Sequence, residues 1–378
     1  MIICTSICAN YLPKAKVLGK SIKKYIKDAT FMVSFVEREI PKEAYEAVAA
    51  GEIDYLVRGC DLGLDDDFNR FMFKHTIVEA STSVKGMLMK HLYDRFLDHD
   101  KFVYLDPDCV VFSDFIELRA MLDTDPIVLC PHLMHPGHID MEISSIKYGV
   151  YNLGFLAVNR SEEAIKFIDW WAERLYLYCY DDLSNGLFTD QRWVDLAPTF
   201  FKVKLIHHYG YDFGTWAVKD VAITKRGGSY YINEDPLRFA HFSGYDGGTI
   251  DMVSKWWLSD KNDTYYRELI KNYTDELNIC GQQTLGKIPW SYSCYYSGKP
   301  ISKDARIKYR TENKLRWTID DPYKYTDEWL ADKLGVTIMK NEPGWARRTK
   351  QAIDICVNEG FTSLLKKCLR RLVRFRQN

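Results

Sequence analysis

The sequence predicts an α/β fold, a mixed and mostly parallel sheet with flanking helices, continued by a mainly helical C-terminal appendage. Two observations carry this. Short β-rich apolar runs alternate with longer helical patterns through the N-terminal half, the spacing of strand–helix–strand units with right-handed crossovers. One run, Lys101–Phe112 (KFVYLDPDCVVF), is apolar on both faces yet is broken in its middle by Asp106-Pro107-Asp108. A strand buried on both faces belongs to the interior of such a sheet.

Ile2–Ser6 reads as the first strand, followed by a polar turn at Asn10 and a helix from Leu12 to Ile26. Phe31–Val36 and Asp54–Val57 make the next strands, with a helix over Pro41–Ala49 between them. Helical stretches at Phe68–Glu79 and Val84–Leu97 precede the Lys101 strand; Phe115–Leu122 is a helix and Ile127–Cys130 a strand. CPHLMHPGH brings Cys130, His132, His135 and His138 close together in sequence. Imidazole and thiolate suit zinc, but Pro131, Pro136 and Gly137 mark an irregular loop, which reads as substrate-facing. Val150–Val158 is a strand; Ser161 caps a helix reaching Tyr178, in which Trp170 and Trp171 read as core packing. TDQRWVDLAP starts a helix at Thr189 that stops at Pro198, Lys204–Ile206 is a strand, and FAHFSG places His241 inside a strand ending at Gly244.

The 378 residues, 47% hydrophobic and 14% aromatic, belong to a folded chain with room for one large domain and an appendage. The boundary is placed at 278/279, giving a catalytic domain over 1–278 and a helical extension over 279–378. The ten cysteines contain no C-x-x-C pair, which argues against a zinc ribbon or a redox motif. MIICTSICANY reads as a strand and not a signal peptide, and no apolar run approaches the ~20 residues of a membrane span. A cytoplasmic setting is expected. The net charge of −1 gives no reason to expect a nucleic-acid partner, but residues 361–378 carry six basic side chains and no acidic one. Leu365, Leu369 and Leu372 share a face there, so 361–376 is expected to suit the anionic inner face of a membrane.

Two carboxylates ending a buried strand repel one another and lose hydration. A hard divalent cation answers both costs, so Asp106 and Asp108 read as metal ligands. Ligands of open α/β sheets bind beyond the carboxyl ends of the strands, which places the Ser6–Tyr11 turn and the Asp106–Asp108 turn on one edge.

In order along the chain stand the turn ending Asn10-Tyr11, Lys85, YLDPD, YNLGF, TDQ and HFSG. Together they resemble the GT-A fold glycosyltransferases (a Rossmann-like fold), in particular the retaining glycogenin and lipooligosaccharide galactosyltransferase family and the bacterial surface-polysaccharide enzymes, over about residues 1–260. The resemblance implies Asp106, Asp108 and His241 as ligands of Mn²⁺ or Mg²⁺. It implies Thr5, Ser6, Asn10 and Lys85 at the nucleoside and ribose, and Gly244 at the phosphates. Asn152, Gly154, Asp190 and Gln191 then stand at the donor sugar and reaction centre, with Asp108, Asp190 and Gln191 catalytic. Two positions depart from it: Gly247 stands where that family usually has a lysine, and Arg192 where a second aspartate is common. The implied activity is transfer of a hexose from a nucleoside diphosphate sugar, UDP-linked, to a saccharide or lipid-linked glycan acceptor, leaning towards retention. Were the reaction inverting, Asp190 and then Asp212 would be the candidate bases. The rivals are a sugar nucleotidyltransferase, against which the glycine-free CTSICANYLPK argues, and a non-catalytic glycan- or membrane-binding module.

Overall fold

The structure, a computed structural model, describes residues 1–63, 68–219, 221–248, 250, 260–312 and 319–339. The chain divides into two units, Met1–Ser293 and Cys294–Asn378. The sequence-based boundary at 278/279 lies earlier. The helix Asp260–Ile279 runs across it, and Trp290 donates its indole N–H to Val36 O at 2.9 Å, which keeps 279–293 with the first unit.

The strands are β1 (Ile2–Ile7), β2 (Thr30–Phe35), β3 (Tyr55–Arg58), β4 (Lys101–Leu105), β5 (Cys109–Val111), β6 (Ile127–Leu129) and β7 (Phe155–Asn159). After them come a ribbon of β8 (Asp181–Asp182) and β9 (Leu187–Phe188), then β10 (Val203–Leu205), β11 (Ile223–Arg226), β12 (Ser229–Ile232), β13 (Asp235–Pro236) and β14 (Phe239–His241). Seven of them form a mixed, mostly parallel sheet in the order β10-β6-β7-β4-β1-β2-β3. β7 alone runs against its neighbours, pairing antiparallel to both β4 and β6.

Helix α1 (Leu12–Tyr25) follows β1, and α2 (Lys42–Ala49) joins β2 to β3. The two helical stretches expected before β4 are three helices, α3 (Phe68–Phe73), α4 (Ile77–Ser83) and α5 (Lys85–Arg95). Thr76 breaks the first stretch: with Glu79 it forms a capping box, so a new helix starts inside the predicted one. Helix α6 (Ile116–Leu122) leads to β6, and α7 (Ile139–Tyr148) follows the loop of histidines, where no helix was expected. In α8 (Glu162–Tyr178), Ser161 Oγ accepts from Ala164 N at 3.3 Å, and Ala164, Phe167, Ile168, Trp171 and Leu175 form the buried stripe. Gly86 lets α5 lie directly on α8, since a Cβ there would stand 2.5 Å from Ala172 Cα.

Two predicted elements are shorter than expected. Residues 150–154 turn before β7 begins, because Asn152 Oδ1 accepts from Gly154 N at 2.7 Å and closes a tight turn. The TDQ helix splits into Gln191–Val194 and Ala197–Phe200, with Pro198 opening the second piece and not ending the first.

One core lies around the main sheet, joining Ile3, Leu18, Phe31, Val103 and Phe155. A second, with Val17, Ile223, Ile232, Leu269 and Tyr273, joins the small β11-β12-β13 sheet to helix Asp260–Ile279. Full burial of each such side chain contributes about 1.5–3 kcal/mol. Helices Lys303–Thr311 and Asp327–Leu334 belong to the second unit, while the expected helix at 345–357 and the basic end at 361–376 lie outside the described residues.

Candidate functional site

The Asp106–Asp108 turn is held open at the carboxyl end of β4. Asp106 N donates to Gly154 O at 2.8 Å, and Cys109 N closes the turn on Asp106 O at 3.0 Å. Strand β14 lies antiparallel on β5 with His241 opposite Cys109, and Phe242 N donates to Asp108 O at 2.9 Å. That register brings residues distant in sequence onto one spot. His241 Nε2 stands 3.2 Å from Asp108 Oδ1 and 3.9 Å from Asp106 Oδ2. One ligand atom from each of the three lies within 4.8 Å of the others.

His241 is aimed by what surrounds it. Asp212 Oδ1 stands 3.1 Å from its Nδ1, and Asp212 sits at φ 51°, in the left-handed region that a free chain seldom adopts. The Trp216 ring packs edge-on at 5.4 Å, and Gly154 lies against the imidazole edge, where a Cβ would come within 2.2 Å of Cε1. Burial alone would push the His241 pKa down; the carboxylates of Asp108 and Asp212 outweigh it and hold it well above the ordinary value. Asp108 shows the reverse balance, since burial favours its neutral form but the imidazolium beside it brings the carboxyl down to about 2. Asp212 is buried at 2% exposure behind the ring, so the expectation of Asp212 as a base for an incoming acceptor is corrected: the carboxylate orients His241.

Lys85, opening α5, is 2% exposed. Its ammonium forms ion pairs with Asp190 Oδ2 at 2.8 Å and Asp106 Oδ1 at 3.1 Å, and donates to the Leu153 carbonyl at 2.9 Å. Burial would lower its pKa, but the two carboxylates raise it well above the usual value. Tyr104 Oη donates to Asp106 Oδ1 at 3.0 Å and lies 3.2 Å from Ser6 Oγ. Asp190 is 3% exposed, its carboxyl raised by burial, with Thr189 Oγ1 donating to it at 3.0 Å and the Trp171 indole N–H to its carbonyl at 3.4 Å. Trp171 is therefore core, as read from sequence, and it holds Asp190 in place. Gln191 is anchored at both ends: Oε1 accepts from Leu153 N at 3.2 Å, and Nε2 donates to Tyr148 O at 3.0 Å.

Lys85, Tyr104, Asp106, Asp108 and His241 open into a cleft of about 520 Å³, and Asp190 and Gln191 stand outside its lining. Ser6, Asn10, Lys85, Asp106, Asp108 and His241 line it, as do Tyr11, Tyr104, Ser243, Asp246 and Gln282, with Ile77 and Val78 from α4 as its apolar wall. The other expected donor contacts sit behind this lining. Thr5 is fully buried inside β1, and Asn152 is 6% exposed with its carboxamide spent on Gly154 N and, at 3.1 Å, on His132 Nε2. Gly154 supports His241, while Gly244, at φ 76°, shapes the turn after β14. The Cys130–His138 loop gathers no ligand cluster among the described residues. His132 is buried, its pKa pushed down to about 4, and Cys130 Sγ faces backbone carbonyls. A larger cleft of about 780 Å³, between α1, β5 and β12, has none of Asp106, Asp108 or His241 in its lining.

Sequence reasoning missed Lys14, Asp246, Gln282 and Trp216, and the supporting role of Asp212. Lys14, Val17 and Ser21 recur at helical spacing on a second buried face of α1, a signal present in the sequence. The others stand in loops, where periodicity says nothing.

The three ligand candidates suit a hard divalent cation. Two carboxylates and an imidazole converge, and the imidazole's far nitrogen is already held by Asp212, so that Nε2 is the atom presented.

No protein-family model matches the chain. In sequence it is similar to two uncharacterized proteins of Bacillus subtilis (strain 168). YfnD is 26% identical over 184 residues, 48% of this chain and 58% of YfnD; YfnF is 29% identical over 261 residues, 64% of this chain and 80% of YfnF. The match to YfnD thus spans less than two thirds of that protein. Among solved structures the chain is similar to glycosyltransferases. The galactosyltransferase LgtC, crystallised with donor and acceptor sugar analogues, gives a TM-score of 0.47 at 18% identity, covering 76% of this chain and 98% of that one. The glycosyltransferase GlyE of Streptococcus pneumoniae TIGR4 gives 0.44 at 13%, covering 78% and 66%. Mouse xyloside xylosyltransferase 1 gives 0.40 at 14%, covering 64% and 97%. A membrane-crossing helix is absent among the described residues.

Proposed function

We propose that this protein is a metal-dependent glycosyltransferase that moves a hexose from a nucleoside diphosphate sugar, UDP-linked, to a saccharide or lipid-linked glycan hydroxyl in surface polysaccharide synthesis. The observation that carries the reading is the convergence of Asp106, Asp108 and His241 at the edge where the carboxyl ends of β1 and β4 open into one cleft. Asp106, Asp108 and His241 hold Mn²⁺ or Mg²⁺, which when bound supplies Lewis-acid stabilisation of the charge left on the diphosphate.

The protein's own groups do the rest. Ser6, Asn10 and Tyr11 receive the nucleoside, and Ile77 and Val78 keep water from that end of the cleft. The Lys85–Asp190 pair fixes the sugar's place: Asp190 orients its hydroxyls, while Lys85 opposes the burial that raises the Asp190 pKa. Gln191 holds its carbonyl beside the Leu153–Gly154 turn as the polar partner of the oxocarbenium-like centre. Asp190 is too buried and too firmly ion-paired to take the acceptor's proton, which favours retention. A nucleotidyltransferase would need a phosphate-cradling glycine loop after β1, and Cys8, Ala9 and Asn10 stand there instead. The setting proposed is the cytoplasmic face of a membrane, with 361–376 as the basic attachment; co-sedimentation with anionic vesicles tests that part separately.

The experiment for the activity is a screen of nucleoside diphosphate sugars for metal-dependent hydrolysis, and then for transfer to saccharide acceptors. Release of one sugar with Mn²⁺ and none from the Asp106→Asn, Asp108→Asn double variant supports the reading. Equal turnover by that variant would sink it.

A further inference from the structure

Among the described residues, cations that face the cleft are few. Of the described residues lining it, Lys85 is the lysine or arginine, and its ammonium is already engaged by Asp106, Asp190 and Leu153 O. The imidazolium of His241 is the other cation, and a metal would displace its proton. A nucleoside diphosphate would add the charge of two phosphates to a site that already holds Asp106, Asp108 and Asp246.

A second ammonium stands directly behind the lining. Lys14, in the first turn of α1, is 2% exposed at its side chain, and its Nζ lies 2.5 Å from Asp246 Oδ2 and 3.9 Å from the centre of the Tyr11 ring. Tyr11 Oη donates to the same Asp246 oxygen at 3.2 Å. Tyr11 and Asp246 both line the cleft, so they form the screen between it and Lys14.

The screen is built to yield. Asp246 is 45% exposed on its outer side, so this carboxylate can be rehydrated, whereas the buried ammonium must always have an anion beside it. It also sits among glycines. Gly244 has φ 76° and Gly248 φ 73°, both in the region open to residues without a Cβ, with Gly247 between them. The turn can therefore change shape at little steric cost.

We propose that Lys14 is the diphosphate-binding cation of the donor site, held in place by Asp246 until the diphosphate of the donor takes over its ammonium. The inference rests on the donor reading above and adds to it the residue that tells a diphosphate from a monophosphate. In it Asp246 is a competitor for Lys14, and a like charge turned towards the phosphates. A purely structural strap between α1 and the turn after β14 would make Asp246 a supporter of binding instead. The two roles have opposite signs.

The test is calorimetric titration, with Mn²⁺ present, of the full chain with UDP, GDP, CDP and ADP, and then of the tightest binder against its monophosphate. In Lys14→Met the diphosphate-to-monophosphate affinity ratio is expected to fall by about tenfold, the worth of one charge-assisted contact, and Lys14→Arg should restore most of it. Asp246→Asn should tighten the diphosphate by about threefold and leave the monophosphate less affected. An unchanged ratio in a folded Lys14→Met variant overturns the proposal. Should Lys14→Met not fold, Asp246→Asn decides alone, and weaker or unchanged diphosphate binding overturns it. If the wild type binds none of the four diphosphates, the donor reading itself fails and this inference fails with it.

Discussion

Gly154 carries no side chain because His241 occupies the space where one would stand. A methyl group there would lie 2.2 Å from Cε1 and 2.5 Å from Nδ1, so either the imidazole or the YNLGF turn must move. Gly154→Ala is expected to cost about 1–3 kcal/mol, read as a lowered Tm, and to weaken Mn²⁺ binding at least tenfold; an unchanged metal affinity would show that His241 is not a ligand. The same histidine is expected to make metal binding pH-dependent. Without metal, Asp108 and Asp212 keep the imidazole protonated to a pH above its ordinary value, and the ion must displace that proton. Mn²⁺ affinity should therefore rise with pH above neutrality, with about one proton released per ion, as measured by calorimetry in buffers of different ionisation enthalpy. A flat profile would contradict it. Asp106 and Asp108 were legible because they interrupt an apolar run, where a polar group needs a reason, whereas His241 entered as a ligand only through the family resemblance. Asp212 was misjudged because its carboxylate faces inward from a loop, and the direction a loop side chain takes is set by φ angles that no residue pattern announces.

Among the elements, the edge of the cleft depends on Glu37. This buried carboxylate accepts from Ala9 N at 2.8 Å and from Ser291 N at 2.7 Å, so it joins the 3-10 turn Ala9–Tyr11 to the segment that ends the first unit. Burial raises its pKa, and those two N–H groups oppose the rise. Glu37→Ala takes the partner from Ala9 N, which is buried, and from Ser291 N, which is part-buried, and is expected to cost about 2–5 kcal/mol in chemical denaturation, with loss of nucleotide affinity because Asn10 and Tyr11 ride on that turn. Unaltered stability would contradict the role. Alternating strand and helix patterns made nearly all of the main sheet legible, since buried strands and amphipathic helices have different periods. The splits at Thr76 and Pro198 were missed: a capping residue and an N1 proline divide a helix without changing its hydrophobic period. The segment 279–293 read as appendage from its composition, yet Trp290 and Ser291 fasten it to Val36 and Glu37.

For the whole molecule, the arrangement is one sheet edge at which the Asp106–Asp108 turn, a buried Lys85–Asp190 pair and a cleft of about 520 Å³ meet. Strand order places it there: β1 lies beside β4, so the turns leaving their carboxyl ends are neighbours in space although about a hundred residues separate them in sequence. That much follows from alternation and from the Asp-Pro-Asp interruption. The pairing of β14 with β5, which delivers His241, could not be read from either strand, because three-residue partners carry no register signal of their own. The measurement that bears most directly on the account is calorimetric titration of UDP into the wild type with Mn²⁺, with EDTA, and into the Asp106→Asn, Asp108→Asn variant. Binding is expected with Mn²⁺ alone, and its loss both in EDTA and in the variant. Equal binding in all three conditions would contradict it, because the two aspartates would then be a structural turn and not a metal site.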